Sequence, residues 1–247
     1  MKAVILAAGG GTRLRPLTNR VPKCLVEVLG KPILEHELAS LQQVGVDHCV
    51  IVVGYLCELV RERFGAMFGD MRLTYVTNEE HLKTNNIYSL WLARHLLADD
   101  ILLLDGDLLF EPELITDLMG QPHADAAVVE AFQPFMNGTV ILSEHGVATS
   151  LVLGANQSAG FRYNDALKTV NIYKISQGTM REHFLPKLDW FVTEGLTEQF
   201  YEAVLAGLIS EGKIQLGVHQ TGNRRWIEVD TKEDLANAED LFTTVQL

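Results

Sequence analysis

Short apolar runs alternate with amphipathic stretches along the first half of the chain. Residues 4–8, VILAA, are compact, apolar and small-ended, the pattern of a buried parallel strand, and Gly9, Gly10 and Gly11 follow directly. After Gly30-Lys31-Pro32, the residues Ile33, Leu34, Leu38 and Leu41 recur at helical spacing, predicting a helix that ends near Gly45. HCVIVVG (48–54) predicts a second strand, residues 55–67 its crossover helix, and LTYVTN (73–78) a third strand. Ile87, Leu90, Trp91 and Leu97 share one face of a helix over 87–97, with Asn85 and Asn86 as candidate caps. ILLLDGD (101–107) predicts the fourth strand. Strands alternating with helices imply right-handed βαβ units and a mostly parallel sheet.

The pattern then changes. Residues 125–153 read as β-rich, 168–176 as a strand, 177–188 and 197–209 as helices, and 213–219 as a strand. RRWIEVD (224–230) predicts a last strand, and Thr231 with Asp234 a capping box that starts a closing helix. The second half thus reads as more antiparallel, an insertion on the parallel core. The expected class is α/β: a Rossmann-like, mostly parallel mixed sheet flanked by helices, with a smaller β-rich insertion, in a single domain.

Three consecutive glycines leave no Cβ to obstruct a ligand and allow successive N–H groups to turn towards an anion. Thr12, Arg13, Arg15 and Lys23 add a hydroxyl and three positive charges, so a polyphosphate suits the stretch. A tight strand-to-helix turn with solvated arginines is the plainer alternative. A Walker A loop is excluded because no Gly-Lys pair follows Gly11, and the dinucleotide fingerprint because Leu14 stands where its last glycine belongs. Asp105 and Asp107, two residues apart at a strand end, are expected on one side over the carboxyl edge of the sheet. Such a pair faces solvent or a cation, and Mg²⁺ with substrate phosphates fits it; an Asx turn is the alternative. Glu228 and Asp230 alternate to one side of the last strand, where they could meet that pair.

Composition narrows the partners. Against 20 basic side chains stand 32 acidic ones, a net charge of −12, which opposes non-specific binding to nucleic acid or anionic membranes. A small anionic substrate would need the local cations of the glycine stretch. Cys24, Cys49 and Cys57 are scattered without ligand spacing, which fits a reducing compartment. The N-terminal apolar run is too short for a signal peptide, and none approaches the roughly 18 residues of a membrane span. The expectation is a cytoplasmic protein.

LAAGGGTRLRPLT followed by PKCLVEV resembles the nucleotidyltransferase signature LAAGxGTRLxPLT and PKxLVxV. The resemblance implies a GT-A-like nucleotidyltransferase fold: residues 1–120 bind the NTP, 121–225 an acceptor, and 226–247 supply a second metal ligand and a closing helix. It also implies attack by a phosphate or phosphonate oxygen on the α-phosphorus of an NTP, with Mg²⁺ as cofactor and pyrophosphate leaving. Leu6, Ala8, Gly9, Gly11, Thr12 and Arg13 would line the triphosphate site, Lys23 and Arg13 would act in catalysis, and Asp107 and Asp230 would hold the metal, supported by Glu228. Asn78, Thr84, Asn85 and Ser89 would read a pyrimidine edge. KTNNIYSLWLARHLL resembles a segment of phosphocholine cytidylyltransferases, and KTVNIYKIS one of 2-aminoethylphosphonate cytidylyltransferases, which favours CTP and a small phospho- or phosphono-acceptor. On that resemblance Lys168 would meet the acceptor's phosphonate, with a solvated lysine at a strand start as the alternative, and Tyr201 and Glu202 a cationic head by cation–π contact and counter-charge, with an ordinary amphipathic helix as the alternative. Sugar-phosphate relatives carry a G-x-W-x-D stretch where this chain has RRWIEVD, which disfavours hexose phosphates. A hexose-1-phosphate nucleotidyltransferase and a non-catalytic nucleotide-sensing subunit remain as alternatives, and a homodimer is left open.

Overall fold

A computed structural model of the chain describes residues 1–158 and 160–243. The last residues of the expected closing segment, 244–247, lie outside it. The first half follows the apolar pattern: β1 (Lys2–Ala7), α1 (Ile33–Gln43), β2 (His48–Val53), α2 (Cys57–Phe64), β3 (Met71–Thr77), α3 (Asn86–Leu92), β4 (Ile101–Asp105), β5 (Leu108–Phe110) and α4 (Glu113–Met119). The second half adds β6 (Asp125–Ala131), β7 (Val140–Glu144), β8 (Val147–Val152), β9 (Ala166–Ile175), α5 (Leu185–Thr193), α6 (Glu202–Ser210), β10 (Leu216–Gln220), β11 (Trp226–Glu228) and α7 (Lys232–Thr243).

One mixed sheet runs β7-β8-β10-β6-β9-β4-β1-β2-β3, ending on a two-residue edge at Met67–Phe68. β4, β1, β2 and β3 are parallel, and β9 enters antiparallel between β4 and β6. The β-rich second half is therefore an extension of the same sheet, hydrogen-bonded directly to β4, rather than an insertion set upon it. β7 also pairs with β9, so this side curls back on itself.

Alternation along β1 feeds both faces. Val4 and Leu6 pack with α3, α5 and α6, while Ala3, Ile5 and Ala7 pack with α1 and α2. A third cluster joins Leu14, Val26, Val28, Ile33, Leu109, Val229 and Ala238. It ties the segment after the glycines to the C-terminal helix.

Three boundaries differ from the sequence pattern. The helix expected over 87–97 stops at Leu92 and continues as a 3-10 turn, Arg94–Leu96, where the Arg94 guanidinium donates to the Trp91 carbonyl. The helix expected from 197 starts at Glu202, because Thr197 accepts from Asn85 N–H and the Asn86 side chain accepts from Tyr201 N–H. The helix expected over 177–188 runs on to Thr193 through a π-helical stretch, Met180–Phe184. Among the described residues no helix is long and apolar enough to cross a membrane.

Candidate active site

β1 ends at Ala7 and the chain turns over the carboxyl edge of the sheet, where open α/β folds place ligands. Gly11 adopts φ +57°, and a Cβ there would stand 2.9 Å from Lys23 Cβ and 3.0 Å from Thr18 Cγ2. Gly9, by contrast, has nothing within 4 Å of a built Cβ, so its backbone faces open space. The turn borders a cleft of about 300 Å³. Leu6, Ala8, Gly9, Gly11, Thr12 and Arg13 line one side of it, and Asn78, Thr84, Asn85 and Ser89 another. Lys23, Asp107, Glu228 and Asp230 also line it.

The carboxylates reach this place from distant segments. β4 stops at Asp105, so Asp105 ends a strand while Asp107 sits on the turn beyond it, rather than both sharing one strand face. Gly106 N–H donates to the Leu6 carbonyl, and a Cβ on Gly106 would lie 2.8 Å from that of Ala7, which pins this turn against β1. β5 and β11 form an antiparallel pair that delivers Glu228, and Val229 N–H donates to the Asp107 carbonyl. The Asp234 carboxylate accepts from the Asp230 and Thr231 N–H groups, while Asp234 N–H donates to Thr231 Oγ1, completing the expected capping box.

Lys23 Nζ donates to Asp107 Oδ2 at 2.6 Å and to Asp230 Oδ1 at 2.5 Å, and Arg13 lies 2.7 Å from the same Asp230 oxygen. Burial by itself would lower the Lys23 pKa, but Asp107 and Asp230 together raise it above the usual lysine range. Burial would raise Asp230, and Lys23 and Arg13 outweigh it and bring it down. Glu228 is pushed up to about 7, by burial first and then by Asp107. One oxygen each from Asp107, Glu228 and Asp230 lie within 4.8 Å of one another, and Asp107 Oδ1 is buried with no hydrogen-bond partner. Three hard oxygen donors with a spare lone pair could hold a divalent cation such as Mg²⁺.

On the other flank, the Asn78 side-chain amide donates to Thr84 Oγ1 at 3.1 Å and Ser89 Oγ at 2.9 Å, and its oxygen accepts from Glu80 N–H. Asn78 thus holds the loop together. Asn85 caps α3, as expected, by accepting from Asn86 N–H. His81 and Phe200 also line the cleft. No spacing in the sequence distinguishes them, since each reaches the cleft only through its loop's path.

The three acceptor candidates are not at the cleft surface. Tyr201 is fully buried, its ring packed edge-on to Tyr173 at 5.8 Å, so it offers no face to a cation–π contact. Glu202 is buried beside it and accepts from Thr139 Oγ1 at 3.4 Å. Lys168 turns inward, donating to the Thr169 carbonyl at 2.6 Å and lying 3.7 Å from Glu228. Direct contact between Lys168 and an acceptor phosphonate is not what this geometry offers, because Thr169 and Glu228 already serve as its partners.

Comparison with known proteins agrees with the geometry. The chain is 37% identical over 246 residues to CMP-5'-(3-aminopropyl)phosphonate synthase of Streptomyces rubellomurinus, covering 98% of this chain and 39% of that protein. It is 40% identical over 121 residues to choline-phosphate cytidylyltransferase of Streptococcus pneumoniae, 48% of this chain and 50% of that one. The chain therefore spans half or less of the length of these two relatives. The structure of the CTP:phosphocholine cytidylyltransferase from Streptococcus pneumoniae superposes with a TM-score of 0.75 at 23% identity, covering 97% of each chain, and so shares the fold. The model of the family described as nucleotidyl transferase matches residues 2–179, from β1 into the helical turn after β9, and the chain belongs to that family.

Proposed function

We propose that this protein transfers CMP from CTP to a small acceptor carrying a phosphate or phosphonate and a nitrogen-bearing head, releasing pyrophosphate. One observation carries the reading: Lys23, Arg13, Asp107 and Asp230 meet in the cleft that the open backbone of Gly9 also lines, where a triphosphate would need a donor cradle and charge compensation. The relatives named for an aminopropylphosphonate and for choline phosphate support cytidylyl transfer to such an acceptor.

Both reactants are anions, so catalysis here is positioning and charge neutralisation. The turn at Gly9–Gly11 with Thr12 would present N–H and hydroxyl donors to the β- and γ-phosphates, and Arg13 would add a planar guanidinium to the same group. Lys23 would move from the two aspartates to the α-phosphate as charge develops there. Asp107 and Asp230, with Glu228 beside them, would hold Mg²⁺, which when bound supplies the positive charge that lets acceptor and nucleotide oxygens approach. The loop braced by Asn78 would present Asn85 and the backbone around Thr84 to the base.

The test is pyrophosphate release in Mg²⁺, crossing CTP, UTP, dTTP, ATP and GTP against 2-aminoethylphosphonate, phosphocholine and glucose 1-phosphate. CTP-dependent release with a nitrogen-bearing acceptor is expected. Release only with glucose 1-phosphate would overturn the reading.

A further inference from the structure

On the flank of the cleft formed by the loop after β3 and the start of α3, the side-chain oxygens are spent on the loop itself. Asn78 Oδ1 accepts from Glu80 N–H, Thr84 Oγ1 and Ser89 Oγ from the Asn78 amide, Asn85 Oδ1 from Asn86 N–H, and Asn86 Oδ1 from Tyr201 N–H. Both amide hydrogens of Asn78 are used in this way, and the residue is 1% exposed. The groups that the sequence offers to a pyrimidine edge therefore hold the loop in shape. His81, which lines the same cleft, differs from them. Its Nδ1 lies 3.1 Å from the Asn78 carbonyl oxygen, which can only accept, so the ring carries its proton on Nδ1 and the neutral imidazole keeps a lone pair on Nε2. Among the described residues no hydrogen bond reaches that nitrogen.

Packing fixes where the ring stands. Gly54 follows β2, and a Cβ built on it would lie 2.9 Å from His81 Cβ and 3.0 Å from its Cγ, so the root of the side chain rests on backbone that a larger residue would block. The same Cβ would lie 2.8 Å from the Ala8 carbonyl oxygen, which places His81 beside the start of the glycine turn. The Tyr55 ring flanks it, 6.3 Å between centroids and tilted by 57°. With its root on Gly54 and Nδ1 held by Asn78, the imidazole has one polar edge left for a ligand, and that edge is Nε2.

Resting on the cytidylyl-transfer reading above, we propose that His81 is the residue that separates cytosine from uracil, its Nε2 accepting from the N4 amino group of CTP and opposing the O4 oxygen of UTP. Cytosine presents an N–H donor at the position where uracil presents an acceptor. A lone pair fixed there attracts one base and repels the other, so a single atom supplies both halves of the discrimination. Asn78 is then a positioning residue, because its carbonyl sets the tautomer that makes Nε2 an acceptor.

The experiment is calorimetric binding in Mg²⁺, without acceptor, of CTP, UTP and the triphosphate of 4-deaminated cytidine, which keeps N3 and has neither the amino group nor the oxygen. Wild type, His81→Asn and His81→Phe are compared. Asparagine keeps a donor for the Asn78 carbonyl but ends short of the Nε2 position; phenylalanine keeps a ring on Gly54 and has no acceptor. The wild type should bind CTP roughly 30-fold or more tighter than either analogue, and each variant should bind all three within about threefold, because only a site built to hydrogen-bond an N–H group rejects ligands lacking it. A CTP preference that survives in the variants, or an equal weakening of all three nucleotides as a merely structural role would give, would overturn the assignment of His81 and leave cytidylyl transfer standing. A wild type that binds the deaminated triphosphate as tightly as CTP would do the same. A wild type that prefers UTP would overturn both readings. Either variant suffices if the other does not fold.

Discussion

Lys23 Nζ lies between Asp107 Oδ2 and Asp230 Oδ1, at 2.6 and 2.5 Å, so one ammonium joins a turn after the glycines to carboxylates 84 and 207 residues away. The same two carboxylates are the candidate metal ligands, and Lys23 therefore shares its oxygens with any cation bound there. Lys23→Met should leave Asp107 without its cation and Asp230 with Arg13 alone. We expect its Tm to fall below that of the wild type without metal, and Mg²⁺ to restore more of it than it adds to the wild type, by mass action. Melting curves across a Mg²⁺ titration check this; equal Mg²⁺ responses in the two proteins would count against a shared site.

Asp107→Asn keeps the shape of the side chain and the backbone bond from Val229 while removing its charge. Turnover should drop at least roughly 100-fold, the scale of losing one electrostatic contact to a transition state, with Tm in saturating NaCl little changed. Unchanged kcat in saturating Mg²⁺ would remove Asp107 from the reaction.

The parallel half of the fold was legible because its strands are buried on both faces and read as unbroken apolar runs, from VILAA to ILLLDGD. The glycine turn and its cations were legible because local spacing alone brings them together. What the second half does was not. The entry of β9 beside β4 depends on a bulge at Asn171, which no periodicity announces, and the burial of Tyr201 depends on the Asn86 side chain holding its backbone N–H. Lys168 reads in the sequence as a lysine at the start of a strand, and no spacing announces the Glu228 that it meets at 3.7 Å.

Two glycines separated by one residue should respond differently to the same methyl group. At Gly11, φ +57° and a Cβ 2.9 Å from that of Lys23 make Gly11→Ala costly, by about 1–2 kcal/mol for the backbone alone. Its Tm should fall, and kcat with it as Lys23 is displaced. At Gly9 a Cβ meets nothing within 4 Å, so Gly9→Ala should hold its Tm while raising KM for CTP several-fold, since the methyl occupies the open side of the turn. Tm and CTP kinetics on both variants check the contrast; a Gly9→Ala enzyme with unchanged KM would place the triphosphate elsewhere.

Glu37 braces the turn that carries Asp107. It is 1% exposed on α1, one oxygen accepts from Leu108 N–H at 3.0 Å, and the other has no partner. Burial holds its pKa well above the ordinary 4.5, with Asp107 adding to it, against the opposing pulls of that N–H bond and of Lys23. Because the folded state keeps a proton that the unfolded state releases, this residue's contribution is fully present below about pH 4.5 and is lost as pH rises through the folded pKa. The slope is at most about 1.4 kcal/mol per pH unit. Glu37→Gln retains the acceptor oxygen for Leu108 and cannot ionise, so its Tm relative to the wild type should rise steadily from pH 5 to pH 8. Parallel curves for the two proteins across that range would show that Glu37 does not titrate with folding.

Lys168 is the buried cation beside Glu228 and Glu202, and its removal tests whether it serves the fold or the acceptor. Lys168 is 5% exposed and its ammonium lies 3.7 Å from Glu228. Lys168→Met keeps the apolar stem but leaves buried Glu202 and half-buried Glu228 without its charge, a loss of up to about 3 kcal/mol, the scale seen when one partner of a buried pair is removed. Urea unfolding should report that loss at pH 8, where Glu228, pushed up to about 7, is largely ionised in the wild type, and a smaller one at pH 5.5, where it is largely protonated. KM for the acceptor and KM for CTP should move together, because the ammonium reaches neither ligand directly. A tenfold rise in acceptor KM alone, with stability unchanged at both pH values, would instead place Lys168 on the acceptor's phosphonate.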